Sequence, residues 1–269
     1  MPATEVVDPA RAAARLAACV REAGALALSM FGTPINNWTK AGSSPVCEAD
    51  IAVDRLLRER LTSDGSGFAW LSEESTDDLA RLAARYVWIV DPIDGTRAYL
   101  AGLPDWSVSA ALVENGRPIA ACVYAPATEE LFIAAAGKGA TCNGAAISTT
   151  GGVSLAHARI AGPKRCLDRL AAVAPPFTVM SRVRSLALRL ARVAQGAYDV
   201  AIADVDSHDW DLAAADLLVH EAGGLVTPIG GGLVTYNLPV PRHGMLIAAG
   251  RDRHAAVLEL FRDERLASS

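Results

Sequence analysis

Asp91 and Asp94 stand three residues apart in Tyr86-Val-Trp-Ile-Val-Asp-Pro-Ile-Asp-Gly-Thr96, just where an apolar run ends. Tyr86 to Val90 is β-branched and aromatic, the composition of a strand. Pro92 lacks the N–H a ladder needs, Gly95 permits a tight turn and the close approach of a ligand, and Thr96 offers a cap to a helix opening at Arg97. Paired acids beside the free N–H groups of a helix start suit a cation and an anion together, and a metal with a phosphate is the common form of that pair. Asp, Pro, Gly and Thr are equally the residues of a surface turn, so this stretch alone leaves both readings open.

Three other acidic stations keep it company. Phe68-Ala-Trp-Leu71 is a second short strand, and it ends in Ser72-Glu73-Glu74-Ser75. Two strand ends carrying carboxylates side by side would repel unless a cation lay between them. Asp50 falls in the first turn of a helix whose apolar face is Ala49, Val53, Leu57 and Leu61, where an acid also suits the macrodipole. Arg58 offers Asp54 an i,i+4 partner that Asp50 lacks. In His208-Asp209-Trp210-Asp211, Asp209 reads as the N-cap of a helix and Asp211 as a first-turn carboxylate able to reach a cation.

The elements that must position these residues follow from periodicity and turn signals. Leu16, Val20, Ala23, Ala27 and Met30 recur at helical spacing between Pro9 and Phe31, and Lys40 to Pro45 is a Gly/Ser/Pro loop before the Asp50 helix. Trp106 to Glu114 alternates, Asn115-Gly116 is a hairpin signal into Pro118–Tyr124, Leu131–Ala135 continues the meander, and Gly137 to Gly144 reads as a turn. Beyond Thr149-Thr-Gly-Gly152 the rhythm becomes strand and helix in turn: strands at Phe177–Ser181, Tyr198–Ala203, Leu225–Thr227 and Met245–Ala249, helices at Leu186–Gln195, Trp210–Glu221 and Asp252–Arg262. This divides the chain near residue 150 without a flexible linker.

With 269 residues, 51% hydrophobic and 20% charged, the chain has the composition of a globular protein with a sizeable core. A net charge of −5 argues against a broad nucleic-acid surface, so an anionic substrate needs a local positive charge, which bound cations supply. Five cysteines, at 19, 47, 122, 142 and 166, fall in no metal spacing and read as reduced thiols of a cytoplasmic protein. Arginines 11, 15 and 21 break the first apolar pattern, against a signal peptide, and no run reaches the length of a membrane span.

With these stations in order, the chain resembles the inositol monophosphatase superfamily over essentially its whole length. The resemblance rests on Asp91-Pro-Ile-Asp-Gly-Thr96 and on Trp210-Asp211 followed, twelve residues after Trp210, by Ala222-Gly223-Gly224. Ser72-Glu-Glu-Ser75 and the Lys40…Ser-Pro-Val…Ala-Asp50 loop agree with it. It implies an α/β protein with the layered αβαβα sugar-phosphatase-like fold: a mixed α+β half, residues 1–150, with most metal ligands, and an α/β half, residues 151–269, with Asp211 and the substrate side. It implies a Mg²⁺-dependent phosphomonoesterase, lithium-sensitive, with two or three ions held by Glu73, Asp91, the Ile93 carbonyl, Asp94 and Asp211. Asp50 and Thr96 would orient the attacking water together with Glu73, and the phosphate would lie on the N–H groups of Gly95 and Thr96. An all-oxygen ligand set suits Mg²⁺, and two ions roughly 3.5–4 Å apart can serve an in-line displacement without a protein nucleophile.

The substrate side departs from the family. Ser185-Leu186-Ala187 stands where relatives often carry Gly-Ser-Ser or Gly-Thr-Ala, and Asp204 stands where inositol phosphatases often use a longer Glu to hold ring hydroxyls. Arg97 and Val123-Tyr-Ala-Pro126 lean towards bisphosphate nucleotidases; Gly137-Lys-Gly-Ala…Cys142-Asn-Gly144 leans towards inositol enzymes. A nucleotide brings a base, served by Leu186, and a second phosphate, for which Arg97 and Lys40 are candidates, although each reads equally as a solvated charge. The expected activity is a 3′(2′),5′-bisphosphate nucleotidase, with inositol-1-monophosphatase as the alternative. Fructose-1,6-bisphosphatase comes third, since those chains are generally longer. A non-catalytic binding role in transcription or RNA processing is disfavoured by the complete acidic set. A homodimer stays open.

Overall fold

The computed structural model describes residues 6–40 and 45–262, so Ala41 to Ser44 of the loop before Asp50 lie outside the described residues. In chain order the elements are helix α1 (Pro9–Met30), strands β1 (Asn37–Thr39) and β2 (Pro45–Cys47), α2 (Glu48–Thr62), β3 (Ala69–Ser72), β4 (Tyr86–Asp94), α3 (Thr96–Leu100), β5 (Ser107–Glu114), β6 (Arg117–Ala125), β7 (Glu130–Ala135), β8 (Ala140–Cys142) and β9 (Ala145–Ile147). There follow β10 (Arg159–Ala161), α4 (Lys164–Ala171), β11 (Thr178–Val179), α5 (Leu186–Ala194), β12 (Val200–Ala203), β13 (Ser207–His208), α6 (Asp209–Glu221), β14 (Gly224–Pro228), β15 (Arg242–His243), β16 (Leu246–Gly250) and α7 (Arg251–Arg262).

Five layers result. Strands β3 to β9 form one sheet in sequence order, antiparallel except for the parallel pair β3 and β4. A second sheet has the order β11-β10-β12-β16-β14. Helices α1 and α2 cover the outer face of the first sheet, where Leu16, Val20 and Leu57 meet Trp88, Val90 and Leu112. Helices α5 and α6 fill the space between the sheets, and α4 and α7 cover the far face of the second. The αβαβα order is therefore that of the expected fold.

Alternation of side chains along β4 explains why its whole length is apolar. Trp88 and Val90 face α1 and α2 while Val87 and Ile89 face α5 and α6, so both faces are buried. Helix α6 reads Leu212-Ala-Ala-Ala215 and Leu217-Leu-Val219, apolar around most of its circumference, as a helix between two sheets must be.

Several local expectations are corrected. Pro92 does not end β4: the ladder skips a stretch between Asp91 and Asp94 and resumes with Asp94 opposite Ser107, because a bulge absorbs the missing donor. Thr96 does not cap α3; Gly95 is the N-cap, at φ 94°. Gly137–Gly144 holds β8 between two turns, the second of them Asn143-Gly144, with both residues at positive φ. The expected strand at Phe177–Ser181 shrinks to Thr178–Val179, an exposed edge pair. Strands β1 and β10 and helix α4 are too short or too polar to stand out by periodicity.

Candidate active site

Parallel pairing puts the two acidic strand ends together. Ser72 lies opposite Val90, and the Glu73 N–H donates to the Val90 carbonyl at 3.3 Å, which sets Glu73 beside Asp91. The bulge after Asp91 returns Asp94 to the same region, and the first turn of α6 brings in Asp211 from the other half of the chain. Asp91, Asp94 and Asp211 each offer a carboxylate oxygen, and these oxygens lie within 4.8 Å of one another. They line one wall of a cavity of about 960 Å³ together with Glu73, Gly95 and Thr96.

So many carboxylates in one enclosed place raise each other's pKa. Burial, and then the charges of Glu73, Asp94 and Asp211, push the Asp91 carboxyl well above its ordinary range. Asp94 rises to about 7 through burial and the charge of Asp211, against the pull of hydrogen bonds from Ser185 and from the Ala187 and Leu186 backbone. Glu73 rises to about 8, again through burial first, with Lys40 opposing and Asp211 adding to it. Asp91 Oδ1 is buried and has no hydrogen-bond partner. An orphaned carboxylate oxygen among raised carboxyls, with only oxygen donors around it, fits a hard divalent cation.

Each acid is also held from behind. Asp94 Oδ2 accepts the Ser185 hydroxyl and the Ala187 N–H, both at 2.6 Å, so the start of α5 fixes its orientation. Ser185, in the changed Ser185-Leu186-Ala187 motif, thus supplies a hydroxyl contact to the acidic cluster. Asp211, three residues past the N-cap His208, accepts the His208 N–H at 2.7 Å. This displaces Asp209 from the expected capping role: Asp209 is fully buried and accepts the Asn237 N–H and His243 Nε2, both at 2.7 Å.

The Asp50 and Thr96 pair is formed. Thr96 Oγ1 lies 3.2 Å from Asp50 Oδ1 and 3.1 Å from the Ile93 carbonyl oxygen, and Asp50 Oδ2 accepts the Cys47 N–H at 2.8 Å and the Cys47 thiol at 2.9 Å. Burial raises the Asp50 pKa against those bonds. Asp54 does not pair with Arg58. It accepts the Ser72 and Ser75 hydroxyls, while Arg58 lies over the Trp70 ring. Gly95 is fixed twice over, by its positive φ and because a Cβ there would sit 3.0 Å from the Asp105 carbonyl oxygen.

Lys40 stands beside the acids with its ammonium 2.5 Å from Glu74 and 3.6 Å from Glu73, and it donates to the Glu73 carbonyl. Arg97, exposed, lines the cavity, and so does Asp204, which is paired with Arg165. Leu186 does not line it. It packs in the core between the sheets, so the expected apolar contact with a base is lost. The sequence reading missed Arg182, Arg184 and Arg189, which line the same cavity together with Lys164 and Asp168. Arg189 carried a usable signal, an arginine interrupting the run Leu186-Ala-Leu188 and Leu190-Ala191.

A family model described as the inositol monophosphatase family matches residues 8–266. The chain is 34% identical over 202 residues to an inositol-1-monophosphatase of Rhizobium meliloti, which covers 72% of this chain and 75% of that one. It is also 34% identical to a histidinol-phosphatase of Mycobacterium tuberculosis, over 82% of this chain and 85% of that one. The crystal structure of the extragenic suppressor protein suhB from Bartonella henselae superposes with a TM-score of 0.83 at 27% identity, over 94% of this chain and 99% of that one.

Proposed function

The chain belongs to the inositol monophosphatase family, whose members are phosphatases of small phosphorylated substrates, and from that premise we propose a Mg²⁺-dependent phosphomonoesterase. The observation that carries the metal reading is the orphaned Oδ1 of Asp91 among Asp94, Asp211 and Glu73. Glu73, Asp91, Asp94 and Asp211, with the Ile93 carbonyl, would hold two or three ions, whose charge would favour a phosphate here and lower the pKa of a bound water. The chain's own part is positioning. Asp50, fixed by Cys47, accepts the hydrogen bond of the Thr96 hydroxyl, which leaves the Thr96 Oγ1 lone pairs free to accept a hydrogen bond from the attacking water and so to orient it. Ser185 and Ala187 keep Asp94 in one orientation, and the Gly95 and Thr96 N–H groups are the proposed seat of the phosphate.

The burial of Leu186 removes one argument for a nucleotidase, and the 34% identity to an inositol-1-monophosphatase supports the alternative equally well. Phosphate release from inositol 1-phosphate, histidinol phosphate and adenosine 3′,5′-bisphosphate, with Mg²⁺ and then with EDTA, tests the proposal. Turnover that survives EDTA would overturn the metal reading. Inhibition by LiCl relative to matched NaCl belongs to the same proposal, with equal rates in the two salts counting against it. All five cysteines are free and buried, which suits a reducing compartment, and no described helix is long and apolar enough to cross a membrane.

A further inference from the structure

Helix α2 opens on Cys47, at a position where Ser, Thr, Asp and Asn are the usual N-caps. The side chain is fully buried, and the backbone N–H and the thiol of this one residue both reach Oδ2 of Asp50, at 2.8 and 2.9 Å. Burial, and then the charge of Asp50, pushes the thiol up to about 12, so the sulfur keeps its proton and donates it. Cys47 also ends β2, paired with Asn37 across the ladder to β1, which fixes its backbone independently of Asp50.

The N–H alone would leave the Asp50 carboxylate free to pivot about one bond. A second donor from the same residue fixes the direction in which Oδ1 points, as paired donors do wherever they meet a carboxylate. Direction matters because the Thr96 hydroxyl has one hydrogen and two acceptors. Asp50 Oδ1 lies 3.2 Å from Thr96 Oγ1 and the Ile93 carbonyl oxygen 3.1 Å, so distance does not choose between them. Charge does: a bond to a carboxylate is roughly twice as strong as one to a neutral carbonyl, as long as the carboxylate oxygen faces the hydroxyl. With the hydrogen turned to Ile93 instead, the lone pairs of Oγ1 turn with it, and the seat offered to the attacking water moves.

We propose that Cys47 is a positioning residue of the hydrolysis: its thiol, by fixing Asp50, makes Asp50 rather than the Ile93 carbonyl the acceptor of the Thr96 hydrogen, and so sets the lone pair that orients the attacking water. The inference rests on the phosphatase reading above and adds to it a side chain that touches neither the substrate nor the reacting atoms.

The test compares Cys47→Ala and Cys47→Ser at saturating Mg²⁺, on whichever of inositol 1-phosphate, histidinol phosphate and adenosine 3′,5′-bisphosphate the wild type turns over fastest. Cys47→Ala should lose about 5- to 50-fold in kcat with KM changed by less than about twofold, and Cys47→Ser, whose hydroxyl also donates, should recover most of the loss. A double-mutant cycle with Thr96→Val separates positioning from support. A thiol that acts through Thr96 should cost no more than about twofold once the Thr96 hydroxyl is gone, whereas a thiol that only supports the fold would cost the same in both backgrounds. Wild-type kcat in Cys47→Ala, or equal losses in the two backgrounds, would overturn the positioning role and leave the phosphatase reading intact. In metal-free protein, the infrared S–H band of Cys47, taken as the difference between wild type and Cys47→Ser, should lie below that of an unbonded thiol, and an unshifted band would refute the clamp. That band decides the matter should Cys47→Ala fail to give a native circular-dichroism melt. If the wild type releases phosphate from no substrate, the phosphatase reading falls instead, and the same band judges the clamp alone, a shift supporting it and no shift refuting it.

Discussion

Asp91 is buried, faces three other acids and leaves one oxygen without a partner, so without a cation its charge works against the fold. Because folding raises these carboxyl pKa values, the folded chain binds more protons than the unfolded one, and its metal-free stability must fall as pH rises from the unfolded values of 3.8 and 4.5 through the folded values of about 7 for Asp94 and about 8 for Glu73, above which these two groups add no further loss. In EDTA the melting temperature should drop between about pH 5 and 8, and Mg²⁺ should remove most of that drop. Asp91→Asn should melt about 2–6 °C higher than wild type in EDTA at pH 8 and gain nothing from Mg²⁺. A variant that melts lower in EDTA would show that Asp91 is held by something other than a cation. Asp94→Asn separates chemistry from support: its remaining oxygen still accepts from Ser185 and Ala187, so the chain should fold while kcat falls on the order of 10²-fold or more. Turnover equal to wild type would remove Asp94 from the ligand set.

At the scale of elements, Asp199 ties the second sheet to its surroundings. Its carboxylate accepts the Arg159 N–H at 2.7 Å and the Thr150 hydroxyl at 2.6 Å, and lies 3.7 Å from Arg253 on α7. Burial alone would raise its pKa, but the Arg159 and Thr150 bonds outweigh burial and hold it at about 2. The sign is opposite to that of the acidic cluster: this stability is present above the unfolded value near 3.8 and is lost as pH falls towards 2. Asp199→Asn should cost about 1–3 kcal/mol in urea unfolding at pH 7, shrinking towards zero between pH 4 and 2. A difference that persisted undiminished at pH 2.5 would show the cost to be one of shape. The same scale explains what sequence could reveal. Long elements with one buried face, α1, α2 and β5, declared themselves by periodicity, and β4 by an apolar run that stops at Asp91. The acidic stations were legible because turn and strand-end chemistry is local. The cavity's arginines were not, because Arg182, Arg184 and Arg189 join the acidic cluster only where Ser185 and Ala187 dock onto Asp94, and whether Leu186 or Ser185 faces the site turns on the rotation of one helix.

For the whole molecule, the earlier and later parts of the chain are joined by what fills the space between the sheets. Helices α5 and α6 come from the later residues, yet they pack against strands β4 to β7 of the earlier ones, where Ala111, Val113, Ala121, Val123 and Phe132 are buried at 0% exposure. Arg81 adds a polar tie, its guanidinium donating to Asn237 Oδ1 at 2.7 Å and to the Leu238 carbonyl. Asp211 adds a further one, since the cluster of Asp91, Asp94 and Asp211 is complete only when α6 is docked. Residues 1–150 alone would expose the apolar inner face of a seven-stranded sheet, a patch far larger than soluble monomers tolerate. Two units that share a middle layer should therefore unfold together, although the chain is long for two-state behaviour. In a thermal melt, tryptophan fluorescence, which four of the five tryptophans report from residues 38–106, should follow the same curve as far-UV dichroism, and the calorimetric and van't Hoff enthalpies should agree within about 10–20%. A fragment of residues 1–150 should bind a hydrophobic dye and show no cooperative transition. Two resolved transitions, or a fragment that melts cooperatively, would mean that α5 and α6 dock onto a half already stable by itself, and the active site would then assemble in a separate step from folding.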